Sequence, residues 1–219
     1  MSTLVYVGAN VGNALWELID KFDRVYAFEA VPEIFEHLKL RYRSFDANKK
    51  GGWVTLVNAA CADKKGKAKF FVTPNLVSSS LSKVSSTTHD EDHPQRQSTE
   101  IEVDTINLAE YLAEEGVEHI DLYLSDIQGS DLNVLKTIKP FIDEGRIDQL
   151  YLETHGDNLY IYDGLDNQFQ GFKDLLGENY EFVHAVLGRL NSKIVSEEDI
   201  PEGEYEWDSF WVRKEEVES

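Results

Sequence analysis

The sequence predicts an α/β fold in which a mostly parallel sheet carries helices on both faces and an antiparallel strand pair at its C-terminal edge. Segments typical of strands and helices alternate over the first 155 residues, which indicates parallel strands joined by right-handed crossovers. The last two strand-like segments are joined by a polar connection that contains a proline. Because the chain shows no internal repeat and no linker-like segment, we expect a single domain over residues 1–219.

The first 73 residues contain four segments with the apolar, β-branched composition of strands, at residues 4–7, 24–29, 53–57 and 67–73. Two helical patterns lie between the first three. Apolar side chains recur from Val11 to Phe22 at the spacing of one helical face. A second helix is expected to begin at Pro32, because proline is favoured in the first turn of a helix.

A long polar segment, residues 74–98, interrupts the alternation. It contains seven serines and almost no apolar residue after Val84, which is typical of a binding loop, and we expect a mobile lid. The alternation then resumes with strands at residues 100–103, 119–125 and 149–154, and with helices at residues 105–115, from Ser130 onward, and at residues 168–176. The final strand pair is expected at residues 180–187 and 206–213.

The charge composition argues against the usual polyanionic partners. The chain has 21 Lys and Arg against 41 Asp and Glu, a net charge of −20, whereas nucleic acids and anionic membranes are bound through excess basic side chains. Residues 1–70 nevertheless have a net charge of +3, so a small anionic ligand is expected there. No apolar run is long enough to span a membrane, the first residues lead into a strand rather than a targeting segment, and the single Cys61 excludes an intramolecular disulfide. We therefore expect a cytoplasmic protein.

Ligands of open α/β sheets bind beyond the carboxyl ends of the strands. The ends of the first two predicted strands both have residues suited to one ligand. Gly8 and Gly12 follow the first strand, where they allow a tight turn and a close approach of the backbone to a ligand. Glu29 ends the second strand, where a carboxylate can accept two hydrogen bonds from a ribose diol. Together these residues predict a cofactor that contains a nucleoside, either NAD or S-adenosyl-L-methionine (SAM). Because the spacing is Gly-x-x-x-Gly rather than the Gly-x-Gly-x-x-Gly of dinucleotide folds, an NAD-dependent oxidoreductase is the less favoured alternative.

Seven short motifs follow one another along the chain. The first three are Val-Gly-Ala-Asn-Val-Gly at residues 7–12, Tyr-Ala-Phe-Glu-Ala-Val-Pro-Glu at residues 26–33 and Val-Asn-Ala-Ala-Cys-Ala-Asp-Lys-Lys-Gly at residues 57–66. The others are Ser-Ser-Ser-Leu at residues 78–81, Val-Asp-Thr-Ile-Asn at residues 103–107, Leu-Ser-Asp-Ile-Gln-Gly at residues 124–129 and Leu-Glu-Thr-His at residues 152–155. In this combination and order, residues 3–155 resemble the FkbM family of SAM-dependent methyltransferases.

The resemblance implies the class I methyltransferase fold, which is Rossmann-like, and O-methylation of a hydroxyl of a sugar, a glycan or a sugar-bearing small molecule. It also implies which residues bind SAM. Gly8, Asn10 and Gly12 would hold its methionine part, and Glu29 its ribose. Asn58 and Ala60 would line the adenine pocket, Ser79 and Ser80 would cover the cofactor, and Asp126 would face the reacting end.

Two residues depart from the family pattern. The acidic residue that is usual two positions before the glycine loop is Tyr6 in this chain, and the family's Asp-Val-Glu-Gly is Asp-Ile-Gln-Gly, with Gln128 in place of the glutamate. A catalytically weakened SAM-binding domain is therefore a further alternative.

The expected catalytic residues end neighbouring strands. A sugar hydroxyl is a poor nucleophile, so a general base or a metal ion has to assist the removal of its proton. Asp126, Glu153 and His155 are the polar residues best placed for this at the strand ends. Their oxygen and nitrogen ligands would also suit Mg²⁺ or Mn²⁺, which is the alternative to metal-independent catalysis.

Overall fold

Five parallel strands form one side of the main sheet in the computed structural model. The structure describes residues 1–46, 53–85, 97–187, 192–194, 196–200 and 206–215. In spatial order the five strands are β3 (Trp53–Val57), β2 (Arg24–Phe28), β1 (Thr3–Val7), β7 (Ile120–Ser125) and β8 (Ile147–His155). All five residues of β1 are buried, as expected for a strand that has helices on both sides. Because β2 and β7 flank β1 on opposite sides, the strand order reverses there, and ligands of such sheets bind at the carboxyl ends beside this point.

Three antiparallel strands extend the main sheet beyond β8. β11 (Glu206–Arg213) pairs with β8 and with β9 (Tyr180–Leu187), and β10 (Ser192–Ile194) pairs with the other side of β9. The predicted antiparallel edge is therefore confirmed, with the short β10 added. A separate three-stranded sheet contains β4 (Ala60–Ala62), β6 (Thr99–Asn107) and β5 (Gly66–Val72) in that spatial order.

Alternate side chains of β1 belong to two apolar layers on opposite faces of the sheet, because successive side chains of a strand point to opposite sides. Leu4 and Tyr6 pack with apolar residues of α1 (Asn13–Leu18) and α2 (Pro32–Asp46). Val5 and Val7 belong to the layer of the remaining helices. These are α3 (Leu108–Glu114), α4 (Asp131–Thr137), α5 (Lys139–Asp143) and α6 (Phe169–Leu176). Among the described residues, none of the helices has both the length and the apolar character that a membrane crossing needs.

α1 (Asn13–Leu18) is shorter than the predicted Val11–Phe22 pattern, and two other helices also differ from the prediction. α3 begins at Leu108 rather than at residue 105, because β6 continues to Asn107, where it pairs with β4. The Asn107 side chain then caps the helix by accepting a hydrogen bond from Glu110 N at 3.1 Å. The helix expected from Ser130 onward is two helices, α4 and α5, and Pro140 lies in the first turn of the second. A proline lacks the N–H that would continue α4, so the first helix ends before it.

Part of the polar segment predicted as a loop is held by hydrogen bonds. Ser80 N donates to Phe71 O at 3.1 Å, and Ser85 N donates to Ile161 O at 2.7 Å. Val84 is buried in a small cluster beside these contacts. Residues 74–85 are therefore anchored at several points, whereas residues 86–96 of the predicted lid lie outside the described residues. Mobility of the lid stays a prediction.

Candidate active site

A cleft opens at the carboxyl ends of β1, β2 and β7, the place that the strand order favours for a ligand. Its volume is about 550 Å³ with the open mouth included, which is within the range of small-molecule sites. The predicted cofactor residues that line it are Gly8, Asn10, Glu29, Ala60, Ser79 and Asp126. The other three, Gly12, Asn58 and Ser80, do not line the cleft and instead contact the elements that form its walls.

The glycine loop packs directly against the end of β7. Gly8 has a φ of +85°, and a Cβ atom there would lie 2.0 Å from the carbonyl oxygen of Asp126. The amide nitrogens of Gly8 and Ala9 both donate to Phe28 O, at 3.0 and 2.8 Å. A side chain at position 8 would therefore push apart the two loops that form the cleft, which is the physical reason for the glycine.

The three predicted residues that do not line the cleft stabilise its walls. At Gly12 (φ +82°), a Cβ atom would meet a side-chain atom of α2 at 2.7 Å, so this glycine allows α1 and α2 to pack closely. Asn58 Nδ2 donates to Glu29 O at 2.8 Å and thereby joins the ends of β2 and β3. Ser80 Oγ donates to Gln128 O at 2.7 Å. This bond joins residues 74–85, which we call the serine segment, to the loop after β7.

Glu29 is buried at the end of β2, and its carboxylate joins two loops. Oε2 accepts a hydrogen bond from Asn10 N at 2.9 Å, and Oε1 accepts one from Val31 N at 2.8 Å. Because a carboxylate has about four acceptor positions, Glu29 retains the capacity to bind a diol. Burial raises the pKa of this carboxyl, and the backbone hydrogen bonds oppose the shift.

The cleft has an apolar wall that the sequence analysis missed. Val31, Ile34, Phe70 and Leu81 line the cleft and pack together. They come from α2 and the residue before it, from β5, and from the serine segment. Since separate parts of the chain form the wall, no local pattern marks it, apart from the helical spacing that includes Ile34.

Asp126 follows β7, with its side chain exposed to the cleft. Its Oδ1 accepts a hydrogen bond from Gln128 Nε2 at 2.9 Å, and the same nitrogen donates to Glu153 Oε1. Gln128 Oε1 in turn accepts a hydrogen bond from Tyr162 OH at 2.6 Å. Although Asp126 is open to the cleft, the surrounding protein raises the pKa of its carboxyl by desolvation, and the Gln128 hydrogen bond opposes this shift.

Asp131, which the sequence analysis also missed, holds the loop that carries Asp126. Asp131 Oδ1 accepts hydrogen bonds from Ser125 Oγ and from Ile127 N, the latter at 3.1 Å, and Oδ2 accepts one from Asn167 Nδ2 at 3.2 Å. Burial raises the pKa of this carboxyl to about 7. In the sequence, an aspartate at the first position of a helix is common for electrostatic reasons alone, so nothing marked this one as part of the site.

The family model described as the methyltransferase FkbM domain matches residues 7–185. The chain belongs to the FkbM methyltransferase family. This confirms the resemblance seen in the sequence, and of the two nucleoside cofactors left open by the glycine loop, it supports SAM. No curated protein matches the chain.

Two solved structures that resemble this FkbM chain differ widely from it in sequence. Methyltransferase FkbM from Methylobacillus flagellatus KT has a TM-score of 0.59 and 13% identity, over 96% of this chain and 43% of that one. A Streptococcus mutans protein solved in complex with S-adenosylhomocysteine (SAH) has a TM-score of 0.48 and 9% identity, over 98% of this chain and 89% of that one. The first likeness confirms the class I methyltransferase fold. The chain spans less than half of the Methylobacillus chain.

Tyr6 stands where the FkbM pattern has an acidic residue. It is buried, and desolvation together with the charges of Asp126, Asp208 and Glu29 raises the pKa of its phenol. The phenol therefore stays neutral at physiological pH. A neutral group thus replaces a carboxylate beside the glycine loop of this FkbM chain.

Two of the predicted catalytic residues lie away from the cleft lining. Glu153 is 2% exposed and His155 is 1% exposed. Burial, with the charges of Asp126 and Glu206, raises the pKa of Glu153 well above its usual value, and burial lowers the pKa of His155 to about 4. Ligand atoms of Glu153, His155 and Glu206 all lie within 4.8 Å of one another, and Asp126 does not belong to this group. The predicted metal set is therefore not the one that the fold brings together, and the catalytic roles of Glu153 and His155 stay predictions.

Proposed function

We propose that this chain transfers the methyl group of SAM to a hydroxyl of a sugar, a glycan or a sugar-bearing small molecule. The observation that carries the proposal is that Asp126 and the glycine loop share one cleft. The Asp126 carboxyl is exposed in it, and the Asp126 backbone is so close to Gly8 that only a glycine fits. A proton acceptor and a cofactor loop therefore lie side by side.

The polar groups and the lining of the cleft suit SAM. Glu29 can accept hydrogen bonds from the ribose diol, and the apolar wall that includes Ile34 and Phe70 suits the adenine ring. Gly8 lines the cleft, and its missing side chain lets the Asp126 loop lie directly against the glycine loop. We assign the methionine part to the loop that contains Gly8 and Asn10, which leads toward Asp126.

Methyl transfer depends mainly on the alignment of the acceptor oxygen with the methyl group and on a group that accepts the proton. When bound, SAM supplies a methyl group on a sulfonium whose leaving group is a neutral thioether, so alignment of the acceptor oxygen contributes much of the rate. The acceptor hydroxyl loses its proton as the new carbon–oxygen bond forms. Asp126 takes that proton, and the rise in its pKa makes it a stronger base than an ordinary aspartate.

Metal binding by Asp126, Glu153 and His155 together is not part of this proposal, because Asp126 lies outside the group of close ligand atoms. We propose a carbohydrate acceptor rather than a nucleic acid, since the net charge is −20. We also propose a cytoplasmic location, because the single cysteine, Cys61, is a buried free thiol.

Calorimetry with SAH tests the cofactor assignment. Wild type should bind SAH, and Glu29→Gln should bind it about tenfold more weakly, because hydrogen bonds to a charged acceptor exceed those to a neutral one by roughly 1.4 kcal/mol. Glu33→Gln is the matched control, since Glu33 is exposed in the first turn of α2. A folded wild-type protein that does not bind SAH would refute the proposal.

Methyl incorporation into nucleotide sugars and oligosaccharides tests the reaction. With a responsive acceptor, Asp126→Asn should lower turnover by about 10²- to 10⁴-fold and leave SAH affinity nearly unchanged. Tight SAH binding with no methylation of any sugar would instead favour the alternative of a weakened SAM-binding domain.

A further inference from the structure

A second group of polar side chains lies on the pair β8–β11. His155 on β8 is directly opposite Glu206 on β11 in the antiparallel register. Side chains at opposed positions project from the same face, with their Cβ atoms about 4.5–5.5 Å apart. Glu153, two residues before His155, projects from that face as well. The backbone alone therefore places one imidazole and two carboxylates together.

The donor atoms of these side chains converge. A ring nitrogen of His155 and one carboxylate oxygen each from Glu153 and Glu206 all lie within 4.8 Å of one another. Two donors that bind one ion at about 2.1 Å can be at most about 4.2 Å apart. The separation of up to 4.8 Å exceeds this limit by less than 1 Å, so small side-chain adjustments bring the three donors to one ion.

His155 supplies an independent sign of a ligand. Its side chain is 1% exposed, and Nε2 is buried with no hydrogen-bond partner among the described residues. The ring stacks on Tyr162, with the ring centroids 5.9 Å apart and an interplanar angle of 27°, so its orientation is held by packing. Buried ring nitrogens are nearly always paired, and a neutral imidazole nitrogen is the commonest metal donor in proteins.

The charges around the group favour a cation. Asp208 lies opposite Glu153 on the same face, and Asp126 is linked to Glu153 through Gln128. Among the described residues, no lysine or arginine forms an ion pair with Glu153, Asp126 or Asp208. A bound ion is often the largest local charge in a site and would offset this acidic cluster.

We propose that Glu153, His155 and Glu206 bind one divalent transition-metal ion, Mn²⁺ or Zn²⁺. One imidazole with two carboxylates suits these ions, whereas Mg²⁺ prefers oxygen ligands alone. Three protein ligands leave coordination positions for water or for an oxygen of another molecule. The site lies beside the SAM cleft, and its existence does not depend on the proposed methyl transfer.

Another group of similar composition provides the matched control. Ligand atoms of His119, Asp121 and Asp148 also lie within 4.8 Å of one another. There the imidazole nitrogen has a partner, because His119 Nε2 lies 2.9 Å from Asp148 Oδ2, and a basic side chain offsets the carboxylates, because Arg213 pairs with Asp148 Oδ1 at 3.1 Å. We therefore expect no ion there.

Titration of the tag-free, EDTA-treated full chain with MnCl₂ and with ZnCl₂ tests the proposal, by calorimetry and by the electron paramagnetic resonance signal of free Mn²⁺. Wild type and His119→Asn should bind one ion per chain and melt at a higher temperature in its presence. His155→Asn and Glu206→Gln should lose at least tenfold in affinity. Glu206→Gln keeps the test decisive if the buried His155 variant does not fold, because Glu206 is exposed.

Either of two results would overturn the site. One is a folded wild-type chain that binds neither ion, and the other is a Glu206→Gln chain that binds as tightly as wild type. Because neither SAM nor an acceptor is present, failure here leaves the proposed methyl transfer untouched. Loss of SAH binding, conversely, says nothing about the ion.

Discussion

Replacement of Gln128 with glutamate, the residue of the FkbM pattern, should destabilise this chain. The Gln128 side-chain nitrogen donates to the carboxyl groups of both Asp126 and Glu153, and a glutamate carboxylate has no N–H to donate. Gln128 is 8% exposed, so water has little access to replace the lost donor. Only the hydrogen bond from Tyr162 OH can persist, since it needs an acceptor.

The magnitude follows from the two bonds that are lost. A hydrogen bond to a charged group contributes about 1.5–3 kcal/mol, and one between neutral groups about 0.5–1.5 kcal/mol. The surrounding protein raises the pKa of both carboxyl groups by desolvation, so we take one bond from each of these two ranges. The loss in unfolding free energy is therefore about 2–4.5 kcal/mol before any repulsion from the new carboxylate.

Thermal and urea unfolding at neutral pH measure the effect. For a chain of this size, about 2–4 °C of melting temperature corresponds to 1 kcal/mol, so Gln128→Glu should melt about 4–18 °C below wild type. Gln149→Glu is the matched control, because Gln149 is exposed on β8, and it should change the melting temperature by less than about 2 °C. If both variants melt alike, Gln128 does not bridge the two carboxyl groups.

Two further predictions concern the glycine loop and the serine segment. Gly8→Ala should lower the unfolding free energy by about 2–5 kcal/mol, since positive-φ strain of about 1–2 kcal/mol adds to overpacking of about 1–3 kcal/mol. Gly164→Ala, at φ +72° with no atom within 4 Å of a Cβ, should show the strain alone, and equal losses in urea titrations would contradict the close contact at Gly8. The amides of Ser80 and Ser85, which donate to backbone carbonyls at 3.1 and 2.7 Å, should exchange hydrogen slowly without cofactor. Exchange at the rate of an unstructured peptide would show that this half of the segment is not anchored.

Much of the fold and part of the site could be predicted because they depend on short-range features. A strand pattern, a glycine turn and a helix pattern are all local, so the position of Gly8 and of Glu29 at strand ends follows from the sequence. The position of Asp126 at the end of β7 follows from the sequence in the same way, and Gly8, Glu29 and Asp126 all line one cleft. The start of α3 could not be predicted, because β6 is extended by pairing with β4, which lies far from it in sequence.

The sequence by itself therefore determined the alternating α/β order, the family and the strand ends that form the cleft. Only the tertiary structure decided the surroundings of Glu153 and His155, two residues that the motif placed together. The register between β8 and β11 brings Glu206 opposite His155. Gln128, which lines the cleft, donates a hydrogen bond to Glu153, which does not line it. The physical reason is that a strand pattern shows which side chains share a face, whereas the neighbour on that face depends on the register with a distant strand.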